Sequence, residues 1–193
     1  MVKGRGTVYA RPVPVDVIVR SDVRSLVDAS VRRKVANRLR AALRRLGRSR
    51  SSATLLFTGD DEIRALNREF RRLDRATDVL SFHMQELEGE ADPAGDGVFL
   101  GDIVISAETA RRRSGRARLD DELERLAVHG LCHLFGHDHH RPGQARRMRA
   151  LERQLLAATG RCQAWPAVAP ARRPEGCPCT PDRRPRRRAC PPA

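Results

Sequence analysis

Lysine is nearly missing from this chain. Lys3 and Lys34 are the only two, yet the net charge is +14, so arginine carries almost all of the positive charge. Such a charge means either attraction to polyphosphate (RNA or DNA) or a solvated surface enriched by codon bias, and charge alone does not separate the two. Aromatic residues are scarce as well, at 4 %, so a base-stacking platform for single strands is not indicated. No apolar run is long enough to span a bilayer, and Met1-Val2-Lys3-Gly4-Arg5 is not followed by a signal-type apolar core. A cytoplasmic protein without a membrane partner is expected. The five cysteines form no paired C-x-x-C knuckle, which argues against a cysteine-held zinc, and a disulfide framework would be out of place in a cytoplasmic chain.

What the chain does have is histidine in one place. Five of its six histidines fall within Val128-His129-Gly130-Leu131-Cys132-His133-Leu134-Phe135-Gly136-His137-Asp138-His139-His140. The pattern is H-x-x-x-H-x-x-G-x-x-H, with ligand candidates His129, His133 and His139. Histidines four apart on a helix share one face and can reach one ion. A straight helix cannot supply the third, because eight residues on from His129 it has risen about 12 Å. The chain must turn, and Gly136 is the residue that allows a left-handed helix end. His139 is then brought back to the ion. Three imidazoles suit zinc and leave a fourth tetrahedral position open, as catalytic zinc sites do. Cys132 lies on the helix face turned away from the ligands and reads as a small buried side chain.

One more absence bears on function. Metzincin peptidases share this spacing as H-E-x-x-H-x-x-G-x-x-H, and the glutamate after their first histidine is the general base. Here that position is Gly130. A peptidase without this carboxylate lacks its water-activating group.

Along the chain, Val13–Val19 reads as a first strand. Asp22 is positioned to cap a long helix with Val23, Leu26, Val27, Val31, Val35, Leu39, Leu43 and Leu46 on its apolar stripe, ended by Gly47. Arg32, Arg33, Arg38, Arg40, Arg44 and Arg45 take the opposite face, either solvent or RNA. Ala53–Phe57 reads as a second strand. A short helix from about Asp60 to Phe70 follows, with Ile63, Leu66 and Phe70 inward. A polar connection runs into a strand ending near Phe82, and the acidic segment His83–Gly97 reads as a mobile loop. Val98–Ile105 is the most apolar strand. Ser106 caps a helix closed by Gly115. The central helix opens at Asp120 or Asp121 and carries the histidines. Pro142 starts a last helix with Ala145, Met148, Leu151, Leu155 and Leu156 inward. The fold class is therefore α+β (mixed α/β), with one mixed sheet of about four strands covered by helices. The domain is expected to span residues 1–159. Residues 160–193 hold eight prolines and eight arginines without an apolar period, and a disordered tail is expected there.

Three stretches carry a family likeness. The histidine stretch resembles the H-G-x-L-H-L-x-G-Y-D-H signature of the YbeY family of bacterial endoribonucleases, with Cys132 for the usual Leu and His137 for the usual Tyr. Leu66-Asn67-Arg68-Glu69-Phe70-Arg71, followed by Thr77-Asp78-Val79-Leu80-Ser81-Phe82, is similar to a second motif of that family. Leu100-Gly101-Asp102-Ile103-Val104-Ile105-Ser106 is similar to a third. The likeness runs from about residue 13 to 158. It implies a metal-dependent, single-strand-specific endoribonuclease acting in 3′ maturation of small-subunit (16S) rRNA and in ribosome quality control, with RNA and the small ribosomal subunit as partners. It also implies metal ligands at His129, His133 and His139, and an arginine near the metal at Arg71. That guanidinium would stabilise charge growing on the scissile phosphate. His137 and His140 offer further donors beside the site. Asp138 is either a partner that orients a histidine or a turn residue. Two other readings stay open: a metallopeptidase, disfavoured by Gly130, and a non-catalytic ribosome-assembly factor whose metal only holds the helix–turn together. The oligomeric state is not legible.

Overall fold

The computed structural model describes residues 15–84, 98–115, 117–139 and 141–157. The chain divides into two units, Met1–Cys162 and Gln163–Ala193, and the described residues all belong to the first. The expected tail with its four cysteines, most of the acidic segment 85–97, and His140 lie outside the described residues.

The element order is β1 (Val15–Val19), α1 (Ala29–Arg45), β2 (Ser52–Thr58), α2 (Asp60–Arg71), β3 (Val79–His83), β4 (Phe99–Ser106), α3 (Ala107–Ser114), α4 (Leu119–Leu134) and α5 (Pro142–Ala157). The four strands form one mixed sheet in the order β1-β2-β4-β3. β1, β2 and β4 run parallel, and β3 joins antiparallel to β4, pairing Ser81 with Ile103 and Phe82 with Asp102. This is the α+β, four-stranded, helix-covered architecture expected from the sequence.

Side chains alternate across a strand, so the two faces of the sheet draw on different residues. Leu55, Phe57, Ile103 and Ile105 join α1, α4 and α5 in a large core that includes Leu39, Leu43, Leu123, Leu126, Leu131, Met148 and Leu155. On the other face Leu80 and Val104 meet only Ile63 of α2 as fully buried partners. Ser106 caps α3 by accepting from the Thr109 amide at 3.0 Å, as its sequence position foretold. Glu108 of α3 accepts from the first amide of α2, Asp60 N, at 2.7 Å, so the two helix starts are tied together.

Three local expectations are corrected. Asp22 does not cap α1. It sits in a separate 3-10 turn, Ser21–Val23, and α1 starts at Ala29 with Asp28 Oδ1 accepting from Val31 N at 2.8 Å. The apolar residues from Val23 to Val27 still pack into the core, but as a turn preceding the helix. Arg38 is not on the outer face. It is 7 % exposed, with Nε donating to Glu124 Oε2 at 2.6 Å and Nη1 to Leu156 O at 2.7 Å, so it joins α1, α4 and α5. Phe70 is not inward but 58 % exposed. Ile63 and the half-buried Leu66 already fill the small core under α2, and the Phe70 ring rests edge-on against Phe82 instead.

Candidate metal centre

Helix α4 is the most deeply embedded element of the described domain. Leu123, Leu126, Ala127, Val128, Leu131, Cys132 and Leu134 are all buried. Only a narrow strip containing His129 and His133 reaches a partly open surface. The two rings lie with centroids 4.7 Å apart, and the two Nε2 atoms are 3.2 Å from each other.

The turn behaves as the sequence requires. Gly136 adopts φ 73°, and an added Cβ there would meet nothing, so the glycine serves conformation and not space. The Gly136 amide donates to His133 O at 2.9 Å and the His137 amide to Cys132 O at 3.1 Å, closing the helix. His139 is thereby returned to within 5.5 Å of the His129 ring and 5.1 Å of the His133 ring, centroid to centroid. His129, His133 and His139 form a group whose ligand atoms all lie within 4.8 Å of one another. Among the described residues no carboxylate, thiol or fourth histidine joins it. Asp138 Oδ1 accepts from the His139 amide at 2.6 Å, a turn-type contact to the backbone.

These residues fit a metal ion by their chemistry. His129 Nδ1 lies 2.6 Å from Glu152 Oε1 on α5. An ionised carboxylate can only accept, so Nδ1 carries the proton and Nε2 presents its lone pair to the cluster. Ligand atoms of a tetrahedral ion with bonds of about 2.0–2.1 Å stand about 3.3 Å apart, and the two Nε2 atoms observe that spacing at 3.2 Å. Burial, reinforced by the neighbouring charges of His129 and His139, pushes His133 down to about 4, so it is held neutral, the form that binds metals. Burial and the charge of Glu152 push the Cys132 thiol up to about 12. It is a neutral packing residue, as its position on the helix foretold.

Glu152 was not found from the sequence. It lies 23 residues beyond its partner on another helix, and no local pattern marks it. Periodicity does put it on the flank of the inward stripe of α5, next to Leu151 and Leu155. That is the one signal it gives.

Gly130 acquires a structural meaning. A Cβ at this position would stand 2.6 Å from Ile103 Cγ2 and 3.1 Å from Ser81 Oγ. The Ser81 hydroxyl donates to Gly130 O at 3.2 Å. The helix thus lies directly on β3 and β4 where a metzincin would carry its glutamate, and this packing has no room for any side chain.

Arg71 is outside the histidine group. It is exposed at the C-terminal end of α2, on the helix that covers the opposite face of the sheet. The covalent neighbour Phe70 rests on Phe82, and the residue before Phe82 is Ser81, which touches Gly130. No helix among the described residues is long and apolar enough to cross a membrane.

Comparison with known proteins adds a frame. A family model described as Endoribonuclease YbeY matches residues 18–160. A protein of that name from Anaeromyxobacter sp. (strain Fw109-5) is 47 % identical over 133 residues, covering 68 % of this chain and 66 % of the relative. Another, from Geobacter metallireducens, is 44 % identical over 130 residues, covering 65 % of this chain and 82 % of the relative. The chain thus spans just under two thirds of the Anaeromyxobacter protein's length and more of the Geobacter one. Among solved structures, the solution structure of TM1509 from Thermotoga maritima is similar in fold, with a TM-score of 0.52 at 20 % identity over 75 % of this chain and 87 % of that one.

Proposed function

The chain belongs to the YbeY endoribonuclease family, and on that premise we propose that it is a zinc-dependent endoribonuclease that cuts single-stranded RNA. The observation that carries the reading is the convergence of His129, His133 and His139 with a glycine, not a carboxylate, at position 130. A peptide hydrolase needs a general base at that position, and packing against Ile103 leaves no room for one. A phosphodiester is already an anion, and the arginine-rich chain is suited to attract it.

In this reading His129, His133 and His139 hold the ion, and Glu152 keeps the His129 ring oriented with its lone pair inward. Zinc, when bound, supplies a water of lowered pKa and polarises a phosphoryl oxygen. Arg71 is assigned the scissile phosphate, where a planar two-donor guanidinium stabilises charge as it builds. The physiological substrate is proposed to be the 3′ region of small-subunit (16S) rRNA, met on the small ribosomal subunit in the cytoplasm. Residues 1–159 are proposed to form the catalytic domain. Residues 160–193 then serve as an appendage that adds about six positive charges to RNA attraction.

The test is single-turnover cleavage by protein of measured metal content, offered single-stranded RNA, duplex RNA and casein, with and without chelator. Cleavage of single-stranded RNA alone, abolished by chelator, is expected. Casein hydrolysis, or metal-loaded protein inert toward RNA, would overturn the reading. Arg71→Ala should keep its fold and metal and lose about 10²–10³ in cleavage rate, the scale for one preorganised donor. Arg71→Lys should recover only part of it. Full activity in a folded, metal-loaded Arg71→Ala protein would remove Arg71 from the mechanism.

A further inference from the structure

The C-terminal end of α2 carries features that neither the fold nor the metal centre uses. Of the four large apolar side chains exposed among the described residues, three lie here: Phe70 at 58 %, Leu73 at 46 % and Met84 at 52 %. Phe70 meets Phe82 of β3 edge to face, with ring centroids 4.9 Å apart and planes inclined at 70°. That contact covers only part of the Phe70 ring. β3 is an edge strand, so no further strand of the described sheet closes over this rim.

Within five residues after Phe70 come Arg71, Arg72 and Arg75, all exposed. Among the described residues none of the three is ion-paired, whereas Arg64 and Arg68, earlier on the same helix, both reach Asp74. Their backbone is nonetheless well held. The Leu73 amide donates to Asn67 O at 3.2 Å, and the buried Asn67 side-chain amide donates to Arg75 O at 2.8 Å. Arg72 has φ 60°, the only positive φ outside glycine among the described residues. That left-handed residue closes α2, its amide donating to the Arg68 and Asn67 carbonyls. A fixed loop therefore presents three uncompensated cations directly after one exposed aromatic residue. Single-strand nucleic-acid sites combine these two elements: cations for the backbone and a π-face for a base. Aromatic scarcity rules out an extended platform here, but it does not rule out one seat.

We propose that Phe70, backed by Phe82 and followed in the chain by the unpaired Arg71, Arg72 and Arg75, is a stacking seat for one unpaired base of the RNA strand. It rests on the endoribonuclease reading, and the base is the one flanking the phosphate assigned to Arg71. The seat makes single-strand preference a matter of structure, because a base inside a duplex is stacked on its neighbours and cannot lie on Phe70.

The experiment uses the full-length metal-loaded protein, a short single-stranded RNA, and a set of the same RNA with one abasic nucleotide moved stepwise along it. Phe70→Ala should weaken binding of intact RNA, and raise KM, by about 5- to 150-fold, the range for losing one base–aromatic stack. kcat, metal content and melting temperature should change little. With the abasic nucleotide at one particular position beside the cut, wild type and Phe70→Ala should bind equally. Phe70→Trp should restore affinity, and Phe70→Leu, which keeps apolar bulk without a π-face, should not. Full rescue by leucine would overturn the seat, assigning the effect to apolar packing at this rim rather than to base stacking. Equal binding of intact RNA by Phe70→Ala and wild type would also overturn it, leaving the endoribonuclease reading untouched. Wild-type protein that binds no RNA would remove that reading and the seat together.

Discussion

The two faces of the sheet are built to different standards. Under α1, α4 and α5 lies a continuous core in which Leu39, Leu55, Phe57, Ile103, Leu126 and Leu131 are wholly or almost wholly buried. Under α2 the fully buried set shrinks to Ile63, Leu80 and Val104. The histidines belong to the first face and Arg71 to the second. Metal ligands demand fixed geometry to within tenths of an ångström, which close-packed surroundings supply. The end of α2 is held instead by backbone hydrogen bonds through Asn67, with Phe70 and its neighbouring arginines left exposed to solvent. The difference teaches that the proposed chemistry and the proposed recognition draw on separate stores of stability.

The hardest blow to that division is His133→Ala. It removes a proposed ligand from the last turn of α4, so bound metal should fall from about one equivalent to well below that, and RNA cleavage should vanish with it. Elemental analysis beside a cleavage assay decides the matter. Retention of metal by this variant would mean that the three histidines are not the ligand set.

Gly130→Ala probes the dense face without altering any of the three proposed ligands. The new methyl must push against Ile103, and overpacking of this kind costs about 1–3 kcal/mol. The melting temperature should drop and metal retention should weaken, while a comparable small change on the open face, such as Phe70→Leu, should leave both nearly unchanged. Thermal unfolding of the two variants side by side gives the comparison, and equal stability losses would erase the distinction between the faces.

The smallest effect is one of pH. His133 in the metal-free fold titrates at about 4, below the usual value near 6.5 for an unfolded chain. Between those values the unfolded state binds the extra proton and the folded state does not, so stability rises with pH across that window. Acidification from about 6.5 to 4 should cost the metal-free protein about 1–2 kcal/mol, discounted for the partial exposure of the ring. Denaturant titrations of wild type and His133→Gln at several pH values should show the dependence in the first and its loss in the second.

Much of this was legible in the sequence because it is local. The interval from His129 to His133 is one helical turn, Gly136 marks the helix end, and Ser106 and Gly115 bracket α3. Each of these follows from neighbours a few residues away. The exceptions are long-range. Arg38 reads as outward because it is one arginine among many, although it falls three residues after Val35 and four before Ala42, on the buried stripe. Its partner Glu124 is 86 residues distant, beyond the reach of any periodicity argument. Asp28 replaced Asp22 as the cap because both are followed by apolar residues, and only tertiary packing selects the later start. Phe70 obeyed the helical period of Ile63 and Leu66 but faced too little core to be covered. Arg71 remains where the sequence left it, marked by motif and not by contact with the histidines.

The contact between Glu152 and His129 also sets an order in time. The chain emerges from the ribosome with its N-terminus first, and the carboxylate follows its histidine by 23 residues. At about 5–20 residues per second, His129 is synthesised roughly one to five seconds before the group that fixes its tautomer, and His139 roughly one to three seconds before it. Until α5 has been made and has docked, His129 is free to carry its proton on either nitrogen, and in one of those states its Nε2 has no lone pair to present to the cluster. Completion of the domain and readiness of the centre are therefore the same event.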